Sequence, residues 1–414
     1  MKLSNDSKKI IQYVKKTGIK VNKRTTNMKE LFNDIQESYD YVNNTNLNVS
    51  KHVSKIHNIT ESYSIMTPDN FGSGFIDDYV RTKIMDSILF NVKYSFRMYD
   101  RAYNIIFNIC DVTDYDKCDT MFQMILQWLY IVNIYSPPKC SRKIDIYIFL
   151  CDVKKRMPKE TIEVIGKPHV NSAYTYCCPT TNQIIVYRKE EWFKVFVHET
   201  MHSFGLDFCS SQNISKVKNV IKPVFNINSE MNIYESYCET WAVIVNNAFF
   251  VFNRTPDIKY GDFSKQFRNH MSTEIVFSLL QMNKILEHMG IEYNDLYTKN
   301  STANIKRHLY KEESEVFSYF IVKTIIMYHY NLFILWCENH NHSLLNFNTS
   351  DKNIIEFCKF VLSHYKKSGF LYNIEKFHCN YNMPNNIYFC QTFDTIHYCC
   401  HHKDFLLQKY HYQI

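Results

Sequence analysis

Hydrophobic residues change their spacing along this chain of 414 residues. Between Tyr79 and Cys110, and again between Thr120 and Tyr135, they recur at every third or fourth position, which predicts two long helices. Residues 25–70 are polar and weakly periodic, and we expect only a loosely packed or helical lead-in there. Stretches rich in β-branched and aromatic residues then predict strands at Ile144–Leu150, Val170–Tyr176 and Gln183–Tyr187. The centre of the chain is therefore expected to form a small sheet.

A helical pattern over Lys189–Leu206 follows the last of these strands directly. Apolar residues cover most of its circumference, which predicts a buried helix, and Gly205 suits its C-terminal stop. Glu190 and Glu191 lie at its positive N-terminal end. A polar connection over Cys209–Ile227 follows. Helical patterns fill most of the remainder, at Asn232–Phe252, 272–290, 313–337 and 352–366.

Together these patterns predict an α+β fold that is mostly helical, with a small mixed sheet packed on the 189–206 helix. We divide the chain into four segments. They are a basic, polar N-terminal arm and lead-in (1–70), a helical N-terminal region (71–140), a central core (141–255) and a helical C-terminal region (256–414).

The net charge of +7 is concentrated at the N-terminus. Residues 1–24 hold eight basic residues against the single acidic residue Asp6, whereas basic and acidic residues balance in the remainder. Such an arm can make weak contacts with nucleic acid or an anionic surface. A solvated, flexible terminus is the alternative reading.

The 14 cysteines accompany an N-terminus without the apolar segment of a signal peptide. We therefore expect mostly reduced thiols and a cytoplasmic location. The apolar runs Ala242–Phe252 and Tyr319–Trp336 are too short, or too interrupted by Lys323 and His329, for a membrane span. The Cys- and His-rich tail 376–414 lacks paired CxxC spacing, and it forms either an aromatic packing segment or a second metal site.

The chemistry centres on His198, Glu199 and His202. Histidines four residues apart lie one turn apart on a helix face, so both can bind one metal ion, and Glu199 beside them is a candidate base. A catalytic zinc ion needs a third protein ligand. An HExxHxxGxxH or HExxHxxGxxD extension would supply it at position 208, but Phe208 cannot bind zinc and Asp207 is one position out of register.

A glutamate pair on a later helix offers the third ligand. Glu235 and Glu239 lie one turn apart on one face, so one can bind zinc while the other accepts the Nδ1 proton of a ligand histidine. We favour Glu235 as the ligand. Because Asn232 and Glu235 also fit an N-cap arrangement, in which Glu235 reaches back to its own helix start, Glu239 is the alternative ligand.

Because it combines an HExxH motif with a later glutamate pair, the region from about 165 to 250 resembles the catalytic core of gluzincins. Gluzincins are the HExxH zinc metallopeptidases whose third ligand is a glutamate. It is similar in particular to uncharacterised metallopeptidases of large DNA viruses, in the stretches His169–Thr175, Ile184–Phe196 and Glu235–Ala242. The resemblance implies a zincin-like core, a Zn²⁺ cofactor and a polypeptide substrate. A viral protein of this kind would act in the host cytoplasm or the virion.

The resemblance also implies roles for individual residues. Glu199 would accept a proton from the zinc-bound water and pass it to the leaving amine. Asn171, Ser172 and Ala173 fall where zincins hold an edge strand that pairs with the peptide substrate, although an ordinary covered strand is the alternative.

The oxyanion of the reaction needs a hydrogen-bond donor. The resemblance to gluzincins implies a Tyr or His from a later helix, and Tyr319 and His329 are the candidates. Packing is the alternative role for both, because the chain holds 31 tyrosines. Arg188, just before the motif helix, is expected to form a structural ion pair rather than to orient substrate.

The function that follows is peptide-bond hydrolysis by a zinc metallopeptidase. One alternative is a catalytically silent interaction protein that keeps the zincin fold, but intact Glu199 argues against it. The other is a zinc hydrolase that acts on a non-peptide amide.

Overall fold

A six-stranded open sheet occupies the N-terminal half of the structure, a computed structural model that describes residues 2–3, 5–19, 21, 26–55, 67–69, 71, 74–209, 214–380 and 395–396. The strands are β1 (Lys2–Leu3), β2 (Val49–Lys55), β3 (Phe90–Met98), β4 (Arg101–Ile109), β5 (Lys143–Leu150), β6 (Ala173–Thr175), β7 (Thr181–Val186) and β8 (Thr395–Ile396). The order in the large sheet is β2-β3-β4-β5-β7-β6, while β1 pairs with β8 separately.

Helices make up most of the remaining structure. They are α1 (Asn5–Lys16), α2 (Lys29–Asn44), α3 (Asp78–Met85), α4 (Cys118–Tyr135), α5 (Lys167–Val170), α6 (Trp192–Ser203), α7 (Ile214–Ile221), α8 (Ile233–Arg254), α9 (Tyr260–His288), α10 (Ser301–Arg307), α11 (Lys323–Tyr328), α12 (Tyr330–His340), α13 (Asp351–His364) and α14 (Ser368–Asn380). A π-helical stretch, Phe317–Val322, leads into α11. The α+β class and its helical majority are thus confirmed.

The sheet is mixed, as predicted, because β5 pairs in parallel with β4 and β7 while the other pairs are antiparallel. It is larger than predicted. The long helix expected between Tyr79 and Cys110 is wrong: α3 ends at Met85, and β3 and β4 form a hairpin. This segment forms a strand because its buried positions recur with a period of two: alternate residues of β3 from Val92 to Met98 are buried.

The C-terminal helices largely follow the predicted pattern. The predicted 313–337 helix breaks at His329, where α11 and α12 meet at 90°. The connection expected over Cys209–Ile227 contains helix α7, which buries Val217 and Ile221 at a spacing of four. Among the described residues no single helix has the length and apolar character to cross a bilayer. The required length and apolar character are met only when two helical stretches bent relative to each other, Phe317–Tyr328 and Tyr330–His340, are taken together.

The main core lies between one face of the sheet and three helices, α4, α6 and α8. Trp128 of α4 donates a hydrogen bond to Thr200 of α6 at 2.7 Å and packs edge-on against Phe249 of α8. All three side chains are buried. This junction holds α6, which carries both motif histidines, between the sheet and α8, which carries the two glutamates.

Among the cysteines whose side chains the structure describes, six are disulfide-bonded and four are free, so the expectation of mostly reduced thiols does not hold for them. The bonded pairs within these described residues are Cys110 with Cys151, Cys140 with Cys178, and Cys177 with Cys209. The first pair follows from the sheet, because Cys110 and Cys151 come directly after Ile109 and Leu150, which are partners on parallel strands. Sequence spacing does not reveal such neighbours. The disulfides remove one reason for expecting a cytoplasmic location.

The N-terminal arm is partly ordered as helix α1. Val14 is buried in the main core, whereas Lys8, Lys15 and Lys16 are exposed. This part of the arm therefore packs on the body and presents its lysines to solvent, rather than forming a flexible terminus. Contact with nucleic acid or an anionic surface stays a prediction. The Cys- and His-rich tail lies mostly outside the described residues.

Candidate metal centre

The motif helix α6 presents His198 and His202 on the face that meets α8. It ends in a left-handed turn at Gly205, whose φ is +65°. The Gly205 N–H donates to the carbonyl of His202 and the Leu206 N–H to that of Met201, the pairing of a Schellman cap. A Cβ at position 205 would lie 3.0 Å from the Cys140 sulfur, so glycine is required on two grounds. The predicted stop at Gly205 is confirmed.

Three ligand atoms converge beside this helix. His198 Nε2 and His202 Nε2 are 3.1 Å apart, and Glu235 Oε2 lies 3.0 Å from the first and 3.4 Å from the second. Zinc bonds of about 2.0–2.2 Å in tetrahedral geometry place ligand atoms about 3.3–3.5 Å apart. The three atoms already stand close to this separation, so these residues fit a zinc ion.

A buried carboxylate lies behind each histidine. His198 Nδ1 donates to Glu239 Oε2 at 3.0 Å, and His202 Nδ1 donates to Asp207 Oδ2 at 2.7 Å. These contacts fix both rings with Nε2 directed at Glu235, where a metal ion could be held, and they increase the basicity of Nε2. Asp207 is a candidate site residue that the sequence pattern does not indicate, because an HExxHxxGxxD extension places its acidic residue at position 208.

The two glutamates of α8 therefore have different partners. Glu235 contacts both Nε2 atoms and does not reach back to its helix start. Asn232, at that start, donates instead to the side chain of Glu315 at 2.8 Å. Glu239 lies on the far side of the His198 ring. This geometry favours Glu235 as the ligand and Glu239 as the supporting carboxylate.

Glu239 also forms a buried ion pair. Its second oxygen accepts from Lys194 Nζ at 2.7 Å, and both side chains are almost completely buried. Lys194 lies one helical turn before His198, on the same face of α6, which is the signal in the sequence that would have identified it. Together Lys194, Glu239 and His198 form a chain from a cation through a carboxylate to a proposed ligand.

The pKa values of the metal-free centre reflect this arrangement of charges. Burial alone lowers the pKa of His198, but hydrogen bonds with Glu235 and Glu239 outweigh it and raise the value to about 9. Burial raises the pKa of Glu235, but the two histidines bring it far below the usual range. In the same way Lys194 and His198 lower the pKa of Glu239 to about 2. The metal-free cluster thus holds protons that a metal ion must displace.

A small cavity lies next to the proposed ligands. Glu199 and Tyr319 line it together with three further residues named from the sequence: Asn171, Ser172 and Ala173. Its volume is about 30 Å³, which accommodates one or two water molecules. Burial raises the pKa of Glu199 and keeps the pKa of Tyr319 well above its ordinary value.

Two residues considered in the sequence lie away from the site chemistry. His329 stands at the break between α11 and α12, where its ring packs against His364 and Phe370. The structure therefore does not bring His329 to the small cavity, because the helix break places its ring in this aromatic cluster. Arg188 forms no carboxylate pair among the described residues.

Arg188 donates instead to three backbone carbonyls, at 2.6–2.9 Å, from Val153, Pro168 and Asn171. The expected ion pair at Arg188 is thus wrong. The guanidinium is buried and holds the turn that leads into β6. Its role is to position the chain that lines the small cavity.

Among the described residues, two further groups have metal-ligand atoms in reach of one another, and both share His202. Cys177 and Cys209 form one of them with His202, but their sulfurs are bonded to each other. Asp207 and Cys238 form the other, on the Nδ1 side of the ring. The group of His198, His202 and Glu235 therefore fits a metal ion best.

Comparison with known protein families, curated proteins and solved structures finds no match for this chain. The resemblance to gluzincins and to viral metallopeptidases stays a prediction, and the assignment of function depends on the geometry of the site.

Proposed function

We propose that this protein is a zinc-dependent metallopeptidase with a gluzincin-like site, in which His198, His202 and Glu235 hold Zn²⁺. The observation that carries the proposal is the set of 3.0–3.4 Å separations among the three ligand atoms. Each histidine has a buried carboxylate at Nδ1, as ligand histidines in zinc enzymes do.

The edge of the sheet supports a peptide as the substrate. Strand β6 is the last in the sheet order, so one of its sides has no strand partner among the described residues. The Tyr187 N–H donates to the Ser172 carbonyl, and hydrogen-bonded pairs alternate in antiparallel sheets. The main-chain groups of Ala173 and Thr175 therefore point to the open side, where an extended peptide can pair with them.

The size of the cavity favours the same substrate class. A volume of about 30 Å³ holds water but not a small-molecule amide. A substrate must therefore lie across the opening, along β6, rather than inside an enclosed pocket. This argues against the non-peptide amide hydrolase.

The residues around the cavity have the properties that peptide hydrolysis requires. A zinc ion held by the three ligands would supply the Lewis acidity that lowers the pKa of water to about 7 and polarises a carbonyl. Glu199, whose pKa burial raises, would accept the water proton and deliver it to the leaving amine. Tyr319 would keep its hydroxyl proton, because burial raises its pKa, and would donate to the oxyanion.

The test combines zinc content with cleavage. Purified wild type is expected to hold one zinc ion per chain and to cleave an unfolded protein. Glu199→Gln should keep the zinc and lose about 100- to 10,000-fold in the rate of cleavage. Glu160→Gln, an exposed carboxylate replaced in the same way, serves as the matched control and should behave as wild type.

Other outcomes separate the alternatives. Zinc-loaded wild type that cleaves neither proteins nor peptides would overturn the peptidase proposal and favour the catalytically silent interaction protein. Hydrolysis of small amides with proteins left intact would favour the non-peptide hydrolase. Unchanged zinc content in Glu235→Ala would move the third ligand to Glu239.

A further inference from the structure

A second cavity, of about 590 Å³, opens on a different part of the surface. Its wall comes from the end of α7 and the loop after it, and from the stretch between Tyr297 and α10. None of its lining residues lines the cavity at the candidate metal centre. Its volume falls within the range of pockets for small ligands.

The lining of this cavity is cationic. Lys218, Lys222, Lys299 and Arg307 face it, and no acidic residue lies among the lining residues that the structure describes. Lys218 pairs with Glu230. Within the described ranges no carboxylate forms an ion pair with Lys222, Lys299 or Arg307. Three positive charges thus share one concave surface without a carboxylate to neutralise them.

Arg307 is the fixed member of this group. It is buried, and its Nη1 donates to the carbonyls of Asp295 and Thr298 at 2.7 and 2.8 Å. Nη2 donates to the side chain of Asn304. These contacts use three of the five N–H donors of a guanidinium and hold its plane in place. The charge is preorganised without being cancelled.

We propose that this cavity binds a small ligand that carries two or more phosphate groups. A multiply charged oxyanion matches three uncompensated cations in a bounded space, because it relieves their mutual repulsion. Phosphate oxygens also accept the hydrogen bonds that Lys222, Lys299 and the amide of Asn226 at the cavity wall can donate. A cavity, rather than an extended basic strip, distinguishes this site from a nucleic-acid track.

Calorimetric titration with inorganic pyrophosphate tests the proposal. The full chain is kept metal-free with a chelator, so that pyrophosphate cannot bind through zinc, at an ionic strength of about 0.15 M. The double variant Lys222→Ala/Lys299→Ala should bind at least about tenfold more weakly than wild type, since it loses two charge-assisted contacts. Both lysines are exposed, and an unchanged unfolding midpoint will verify the fold.

The matched control is Lys139→Ala/Lys159→Ala, which removes two exposed lysines elsewhere and changes the net charge equally. It should bind pyrophosphate as wild type does. Equal weakening in both double variants, or no binding by wild type below about 1 mM, would overturn the proposal. A parallel titration with ADP distinguishes two sources: tighter binding than pyrophosphate identifies a nucleotide, and equal or weaker binding identifies an inorganic polyphosphate.

Discussion

Replacing Asp207 with asparagine removes the negative charge behind His202. The carboxylate accepts from His202 Nδ1 at 2.7 Å and from the Cys238 thiol at 3.3 Å. It is buried, so solvent does not screen these contacts. An asparagine of nearly the same shape keeps the packing and changes only the charge and one hydrogen-bonding group.

The expected loss appears in zinc affinity. A hydrogen bond to a charged group contributes about 1.5–3 kcal/mol, and the loss of a carboxylate behind a ligand histidine weakens metal binding about 10- to 100-fold. The two figures agree, because tenfold corresponds to about 1.4 kcal/mol. Asp207→Asn should therefore bind zinc about 10- to 100-fold more weakly.

Glu239→Gln gives the informative comparison, because Glu239 supports His198 and also pairs with Lys194. Zinc affinity should fall by a similar factor. In addition, the metal-free fold should lose about 3–5 kcal/mol, because a buried ammonium is left without its partner. Asp207→Asn should destabilise the metal-free fold less, because Asp207 contacts a histidine and a thiol rather than a buried lysine.

Zinc affinity is measured by competition with a chromophoric chelator, and the free energy of unfolding by urea titration in the presence of EDTA. Asp257→Asn, at an exposed position, is the control for both. Wild-type zinc affinity in a folded Asp207→Asn protein would refute the supporting role of Asp207. Equal stability of the two metal-free variants would refute the part assigned to Lys194.

Three further predictions follow from the same contacts. Zinc binding should tighten from about pH 7 to 9, by about tenfold per unit for each proton released, because the pKa of His198 is about 9 and its proton must leave. A zinc affinity that does not change with pH in chelator competition would contradict this prediction. The raised pKa of His198 also stabilises the metal-free fold below about pH 6.5, and this contribution is lost as pH rises through 9. Ala173→Pro, which removes an outward-facing N–H from an edge strand, should lower kcat/KM on a protein substrate about five- to tenfold with zinc content unchanged, while Ala173→Ser should not. Arg188→Met should lower the free energy of unfolding by about 3 kcal/mol, because three buried carbonyls lose their hydrogen-bond donor. If urea unfolding is unchanged and activity is lost, Arg188 binds substrate instead.

Local periodicity in the sequence is sufficient to predict which site residues share one face of a single helix. His198 and His202 share a face because they are four apart, and the same spacing relates Glu235 to Glu239. Which glutamate turns toward Nε2 depends on the angle at which α8 crosses α6. That angle is set by packing at Trp128, Thr200 and Phe249, and no local pattern encodes it.

The wrong predictions concern features that depend on strand pairing rather than on the periodicity of a single helix. The helix prediction over the β3–β4 hairpin depends on Ile84, Ile88, Leu89 and Val92, which recur at helical spacing although only Val92 lies in the hairpin. The pairing of Cys110 with Cys151 needs the order of strands in the sheet, which only tertiary contacts decide. The open side of β6 likewise depends on which strands lie next to one another.

The left-handed turn at Gly205 explains the positions of Asp207 and Phe208, which follow the motif. It reverses the chain directly after α6, so Asp207 meets the Nδ1 side of His202 rather than the Nε2 side where a metal ion would bind. Phe208 then enters the aromatic core, 4.5 Å from the ring of Phe347. A ligand at position 208 would be buried among aromatic rings, so a third ligand for the proposed zinc ion would have to come from another helix. The same turn thus excludes the extended-motif ligand and supplies the carboxylate that supports His202.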